Sequence, residues 1–324
     1  LKRSVFALII AYVLFCQLVN SQNQDPYKFS LHISSDNDAF SAARNFDRYY
    51  TYGAGIKLSF KADSILGLQR LFSNKEHYFF NAGIRSEGYT PSRFEFTGAD
   101  PEEIELNMDR PFAGLLYGTF DVTYIFRDWF FKTELLLGVM GPSAQSKEIQ
   151  DWIHDNITDD PRFDGWTLQM PDQLIANLNV TGAYNLDINN WFDLYGQARA
   201  RIGNLFIDAT PTVGFRLGKF SSISKTGAFG NNLIADNDIF EIYIRSSFSY
   251  TLAAFNGTAQ GNLFYDNFQY AVKDLNNFYP SMSHGIFVSI RRFVISWDNY
   301  FTYGEVTKGI DHIYGRFGIS YRFR

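Results

Sequence analysis

Cysteine is nearly absent from this chain: Cys16 is the single copy in 324 residues. One thiol excludes an intrachain disulfide, and its place in a leader-like segment leaves the remainder without thiolate chemistry. Proline is sparse, with nine copies. Long apolar runs are missing too. Residues 4–19 form the one extended apolar stretch, short of the ~20 residues a helix needs to cross a bilayer. Positive charge is in deficit, with 29 Lys and Arg against 34 Asp and Glu, a net charge of −5. No basic arm or aromatic–basic stripe offsets that deficit, which argues against nucleic acid as a partner. There is no Gly-x-Ser-x-Gly elbow of the kind serine esterases use, no internal repeat and no low-complexity tract.

Lys2 and Arg3 precede the apolar run, and Val19-Asn20-Ser21 offers small residues at a cleavage point. Residues 1–21 therefore read as a secretory signal peptide and 22–324 as one exported domain. Aromatic residues are abundant: 33 Phe and 20 Tyr help bring aromatics to 18% of the chain, yet the mean hydropathy is only −0.18. Alternating lipid-facing and water-facing residues produce that combination. Along 192–202, Phe192, Leu194, Ala198, Ala200 and Ile202 alternate with Asp193, Tyr195, Gln197, Arg199 and Arg201. Along 240–250, Phe240, Ile242, Ile244 and Phe248 alternate with Glu241, Tyr243, Arg245 and Ser247. Charges on the second face cannot point into lipid and must line a polar lumen.

Twelve such segments are predicted, at 28–36, 48–60, 77–89, 112–126, 129–140, 174–188, 191–204, 206–220, 238–253, 283–292, 294–303 and 312–323. The fold class is all-β: a transmembrane antiparallel barrel of twelve strands, both ends periplasmic, in a bacterial outer membrane. The connections 37–47, 90–111, 141–173 and 254–282 fall outside the cell. Two periplasmic connections, 61–76 and 221–237, are longer than such barrels ordinarily use.

The loop after strand five carries a short helical segment, Gly141 to His154. Gln150 and His154 are four residues apart and share one helical face, which Lys147 extends by a turn. A barrel needs no helix to close, so this one is either a cover for the mouth or a carrier of function. The first external loop opens Asp36-Asn37-Asp38 and closes Asp47-Arg48-Tyr49-Tyr50-Thr51-Tyr52-Gly53. Its carboxylates and amides suit a hard cation such as calcium, or form only a solvated acidic loop. Strand parity assigns Tyr50, Ala54, Ile56, Leu58 and Phe60 to the lipid face. It assigns Tyr49, Thr51, Gly53 and Lys57 to the lumen, with Asp38 on the lumen side and Asn37 on the other.

Asn37-Asp38, Asp47 to Gly53, Tyr89-Thr90-Pro91, Asp109-Arg110-Pro111-Phe112-Ala113-Gly114, Gly141-Pro142, Gln150 with His154, and Gly165-Trp166 occur in this order. Together they resemble the outer-membrane lipid A 3′-O-deacylases of the LpxR type. The match spans the first half of the exported domain, and the second half resembles the family only as barrel. The resemblance implies a calcium-dependent esterase acting on lipid A, with Asp38 as metal ligand, Asn37 and Thr51 at the same site, His154 as general base and Gln150 orienting it or the ester. An imidazole is mostly neutral at pH 7 and can accept the proton of an attacking water. Some family members carry a lysine shortly after Tyr-Thr-Pro. Residues 92–108 here have none, and Arg93 is the nearest cation, so Arg93 and Lys147 are the candidate substrate contacts. A monomer is expected.

Two rivals stand beside this reading. One is a calcium-dependent phospholipase barrel with a Ser–His–Asn arrangement, for which His32-Ile33-Ser34 and His312 do not supply the context. The other is a non-catalytic porin or adhesin with an open lumen. His32, His77, His284 and His312 read as rim or lumen packing, Asp109-Arg110 as salt-bridged mouth residues, and Trp152 and Trp166 as packing for the helix or contacts for acyl chains.

Overall fold

The computed structural model describes residues 27–42, 49–92, 99–158, 162–236, 239–265, 268–306 and 311–324. The predicted signal peptide, Asp47-Arg48 and Arg93 lie outside the described residues. Period-two alternation emerges as twelve strands: β1 (Phe29–Asn37), β2 (Tyr49–Phe60), β3 (His77–Thr90), β4 (Ala113–Ile125), β5 (Trp129–Met140), β6 (Gln173–Asn189), β7 (Phe192–Gly203), β8 (Phe206–Lys219), β9 (Phe240–Asn256), β10 (Phe278–Ile290), β11 (Phe293–Thr302) and β12 (His312–Phe323). Each pairs antiparallel with its sequence neighbours, and β1 pairs with β12 from Phe29↔Phe323 to Asn37↔Gly315, closing the sheet. Closure satisfies every strand edge inside the bilayer, where no water could do so.

The outer wall is apolar: Ile56, Ile84, Leu116, Leu135, Ile242 and Ile295 are all exposed. The inner face surrounds a cavity of about 700 Å³ lined by Lys57, Arg85, Lys132, Glu134, Arg199 and Arg245 among others. Ion pairs keep these charges tolerable. Asp36 is held between Arg85 and Arg316, and Arg245 reaches Asp298 at 2.8 Å. His32 faces inward and meets Ser320 at 2.9 Å. His284 does not pack at the rim or in the lumen as expected; it shares the outward parity of Met282 and Ile286 and is exposed on the lipid-facing wall.

Both long periplasmic connections have structural work, in opposite directions. Residues 220–236 turn into the lumen. There Ile223 and Leu233 are buried among Tyr27, Phe79, Phe130 and Tyr195. Asn232 donates to Ser30 Oγ at 3.0 Å, Thr226 meets Tyr243 at 2.6 Å, and Arg322 donates to the Ala235 carbonyl at 2.7 Å. Residues 61–76 fold the other way, onto the outside of the barrel.

Three helices sit among the extracellular connections: α1 (Pro101–Asn107), α2 (Ser146–Ile153) and α3 (Gly257–Gln260). Asp100 caps α1 by accepting from the Glu103 amide, and Pro101 occupies a first-turn position where no N–H is required. α2 widens into a single π turn at His154–Thr158. It is the short helix predicted in the loop after strand five.

Candidate functional site

The rim residues are set by a fault in strand β2. Its register to β3 shifts between Tyr50 and Tyr52, and Tyr49 sits at φ 66°. A bulge of this kind inserts one residue and reverses the faces beyond it. Tyr50 was expected on the lipid face. Instead its hydroxyl enters the lumen and donates to Asp36 Oδ2 at 2.8 Å. Thr51 was expected in the lumen. Instead its hydroxyl meets that of Thr90 at 2.6 Å, and Thr90 shares the outward parity of Ser86 and Gly88 on β3. Strict alternation cannot see the bulge, because nothing in Tyr49-Tyr50-Thr51-Tyr52 marks which residue is extra.

Asn37 closes β1 on the outward side. Its Nδ2 donates to the Thr51 carbonyl at 3.0 Å, and its Oδ1 accepts from the Ala39 amide at 2.8 Å. Strand parity ends there. Asp38 opens a one-turn 3-10 helix, Asp38–Phe40, and is buried with Oδ1 accepting from Ala39 at 2.8 Å. This turn is not directed down the lumen. It packs on the outside of the last two strands, where Trp297 donates to the Phe40 carbonyl at 3.0 Å and Phe40 meets Phe317 edge-on at 5.1 Å.

Helix α2 covers the same outer rim. Ser146 donates to the Glu87 carbonyl at 3.1 Å, and Gly114 lies so close to Ser146 that any Cβ at 114 would collide with it. Tyr52 points outward like Ile56 but is only 2% exposed; its ring lies against Gly88 and its hydroxyl reaches Ser86 at 3.1 Å. Gln150 and His154 occupy the buried side of this helix, as their spacing predicts. Gln150 Oε1 accepts from the Trp166 indole N–H at 2.5 Å, and its Nε2 is buried without a hydrogen-bond partner among the described residues. The His154 ring meets Phe163 edge-on at 5.0 Å, and Phe163, Trp166 and Phe112 belong to one buried cluster. Lys147, one turn before Gln150, stands at the half-exposed edge of that face. Its ammonium pairs with Asp151 at 2.6 Å one turn on, and it is partly exposed. Past the helix, Arg162 holds Asp155 through two hydrogen bonds and keeps that carboxyl below its ordinary range.

Asp109 and Arg110 knit the rim together. Asp109 accepts from the Tyr49 hydroxyl at 2.8 Å and from the amide and hydroxyl of Ser92 at 2.9 and 2.5 Å. Arg110 is fully buried, 4.8 Å from the Tyr89 ring and 5.5 Å from the Tyr49 ring. It donates to Thr258 Oγ1 at 2.9 Å and pairs with Glu305 at 3.8 Å. The mouth role expected of these two residues is therefore realised, with Arg110 salt-bridged to Glu305 rather than to Asp109. Thr258 and Glu305 come from the second half of the chain, where the sequence offered only barrel. No local pattern marks them, because they are brought to Arg110 by closure of the barrel.

The donors gathered around Asn37, Asp38 and Thr51 are oxygens: one carboxylate, one side-chain amide, hydroxyls and backbone carbonyls. That set fits a hard cation of the calcium type. Among the described residues no group of three or more His, Cys, Asp or Glu side chains is assembled for a metal, so a cation here would rely on Asp38 and neutral oxygens.

A family model described as "Outer membrane protein LpxR" matches residues 8–323. Among solved structures, LpxR from Salmonella typhimurium is similar with a TM-score of 0.71 at 20% identity, covering 91% of this chain and all of that one. The beta domain of the Bordetella autotransporter BrkA is similar with a TM-score of 0.47 at 11% identity, covering 92% of this chain and 99% of that one. A comparison with curated protein sequences gives no match. The twelve-stranded architecture agrees with the first of these structures, and the family match runs through the lumenal 220–236 connection and the second-half strands as well as the rim motifs. This chain belongs to the LpxR family of outer membrane proteins.

Proposed function

We propose that this protein is a calcium-dependent esterase that removes an acyl chain from lipid A in the outer leaflet. The observation that carries the reading is the position of α2. It packs through Ser146 on the outward surface of the rim at Glu87 and Gly114, on the side a membrane glycolipid reaches, with Gln150 and His154 on its buried side and Asn37 and Thr51 on the same outward side of the barrel. A lumenal site would serve a soluble substrate better. In this reading His154 takes a proton from water as the water's oxygen bonds to the ester carbonyl carbon. The C–O bond to the sugar then breaks, and the proton passes to the departing alcohol oxygen. Gln150, fixed by Trp166, turns its buried Nε2 toward the carbonyl oxygen or holds His154 in place. Asp38, with Asn37 and neighbouring carbonyls, would hold calcium. Bound there, the ion would supply Lewis-acid stabilisation of charge on the ester oxygen.

Two observations weigh against the rivals. The 220–236 segment fills the periplasmic end of the lumen, which disfavours an open pore. Ser246 and His284 meet at 2.9 Å on the lipid-facing wall, in register with Asn299, but Asn299 Oδ1 accepts from the Ala42 amide and is committed to that loop. The test is mass spectrometry of lipid A from cells with and without the protein, in calcium and in chelator. Loss of the mass of one hydroxyacyl or acyloxyacyl unit, only with protein and calcium, is expected. Unchanged lipid A with cleaved phospholipid would favour the phospholipase reading instead.

A further inference from the structure

The barrel wall is not equally tall all round. On β9 the outward side chains Phe240, Ile242, Ile244, Phe248 and Leu252 are exposed. Those twelve residue steps, at ~3.3 Å each and a tilt near ~40°, give an apolar height of about 30 Å. On β3 the outward series is far shorter. Phe80 is fully buried and Ser86 is largely covered, leaving Ala82 and Ile84 exposed between them. Six steps give about 15 Å, well under the ~25 Å band such barrels present. Something other than strand must complete the lipid-facing surface here.

At the outer leaflet it is α2, whose Trp152 is 59% exposed. At the periplasmic leaflet it is the 61–76 connection. Val122 and Tyr124 have outward parity with Leu116, yet they are 1% and 0% exposed, because this connection lies on them. Tyr124 donates its hydroxyl to the Leu68 carbonyl at 2.9 Å, and the Phe72 ring meets Tyr124 at 5.1 Å and Phe131 at 5.4 Å. The segment buries its inner side against this aromatic collar and leaves apolar groups on its outer side: Leu66 is 93% exposed, Leu71 50% and Phe72 41%. Leu66 and Phe72 stand at φ 49° and 61°, in the left-handed region that bulky residues avoid. Apolar side chains are thus turned outward at a conformational cost. Lys61 and Arg70 are exposed beside them.

We propose that residues 61–76 form an interfacial foot that inserts Leu66, Leu71 and Phe72 among the glycerophospholipids of the periplasmic leaflet, with Lys61 and Arg70 at the level of their phosphates. Lipid is the occupant because the foot continues a wall that already faces lipid. An apolar wedge beside exposed charges, Lys61, Arg70, Asp63 and Glu76, is the composition of a segment lying in the membrane interface.

The test uses the full chain with Cys16→Ser, refolded into phosphatidylethanolamine–phosphatidylglycerol vesicles. Nitroxides are placed singly at Leu66→Cys and Leu71→Cys, with Ile84→Cys as lipid control and Asn190→Cys, in the β6–β7 turn, as water control. The expected result is an oxygen-over-nickel collision ratio several-fold above that of the Asn190 label and approaching that of the Ile84 label. Ratios matching the Asn190 label would overturn the proposal, as would spin–spin broadening showing a second copy on the foot. Should the labelled variants fail to refold, a lipid-phase diazirine probe on the unaltered protein replaces them. Adducts within 65–72 support the foot, and adducts confined to strand residues overturn it.

Discussion

The Trp166 indole donates its only N–H to the Gln150 amide oxygen, at 2.5 Å and with both side chains buried. That single bond decides which way the amide faces, since it assigns the oxygen to Trp166 and turns the NH₂ group elsewhere. The Nε2 so directed is buried with no acceptor among the described residues. An unmet buried donor costs about 1–3 kcal/mol, a cost more readily understood if a substrate oxygen is its partner.

Trp166→Phe keeps a large ring in the cluster with Phe112 and Phe163 but removes the N–H, so the Gln150 amide is free to rotate. Deacylation of purified lipid A should slow by up to about tenfold, the worth of one hydrogen bond of this kind, while heat-modifiable gel migration stays that of wild type. An unchanged rate would show that Gln150 is oriented by something other than Trp166.

His154→Ala tests the proposed base directly. A positioned base supplies ~10²–10⁴-fold, and loss on that scale is expected in single-turnover assays with lipid A in mixed micelles. Gln150→Ala should cost less, because the proton acceptor remains. Barrel yield and membrane insertion should be unaltered in both, since α2 lies outside the strand ladder. The controls are His32→Ala and His284→Ala, both in the wall; if either matches the loss at His154, the base has been misplaced.

Much of the barrel was legible from the letters because its cause is local. Two solvents, lipid outside and water within, impose a period of two, and β5 and β12 run where alternation puts them, from Trp129 to Met140 and from His312 to Phe323. The pairing of Gln150 with His154 was legible for the same reason, since four residues make about one helical turn. Illegible features were those set by closure or by an inserted residue. The β2 bulge moved Tyr50 inward and Thr51 outward. Arg110 finds Thr258 and Glu305, 148 and 195 residues downstream, only because the sheet closes. Lys147 pairs with Asp151 one turn on, an i,i+4 contact that the helix itself supplies.

Removing calcium should separate rate from fold. The barrel is held by its closed ladder, including the β1–β12 seam, to which an ion at Asp38 adds nothing. Exhaustive chelation should therefore abolish deacylation and leave the heat-modifiable band in place, with activity restored by added calcium. Asp38→Asn should show the same loss and should need far more calcium for whatever activity returns. Full activity in chelator would remove the metal from the reaction.

Arg110 offers a prediction about rim architecture independent of the chemistry. Its guanidinium lies over the rings of Tyr49 and Tyr89 and also reaches a hydroxyl and a carboxylate. A planar, delocalised head can do all of this at once, whereas an ammonium is a compact, more strongly hydrated charge that stacks poorly. Arg110→Lys should therefore behave nearly as badly as Arg110→Ala, although it keeps the charge. The effect should be local, because the strand ladder does not depend on Arg110 and regions of a fold can open separately. Limited proteolysis of the folded barrel should then cut within 91–112 or 257–277 many times faster in both variants, with thermal unfolding of the strands little changed. If Arg110→Lys resists protease as wild type does, charge alone holds the rim and the stacking on Tyr49 and Tyr89 is incidental.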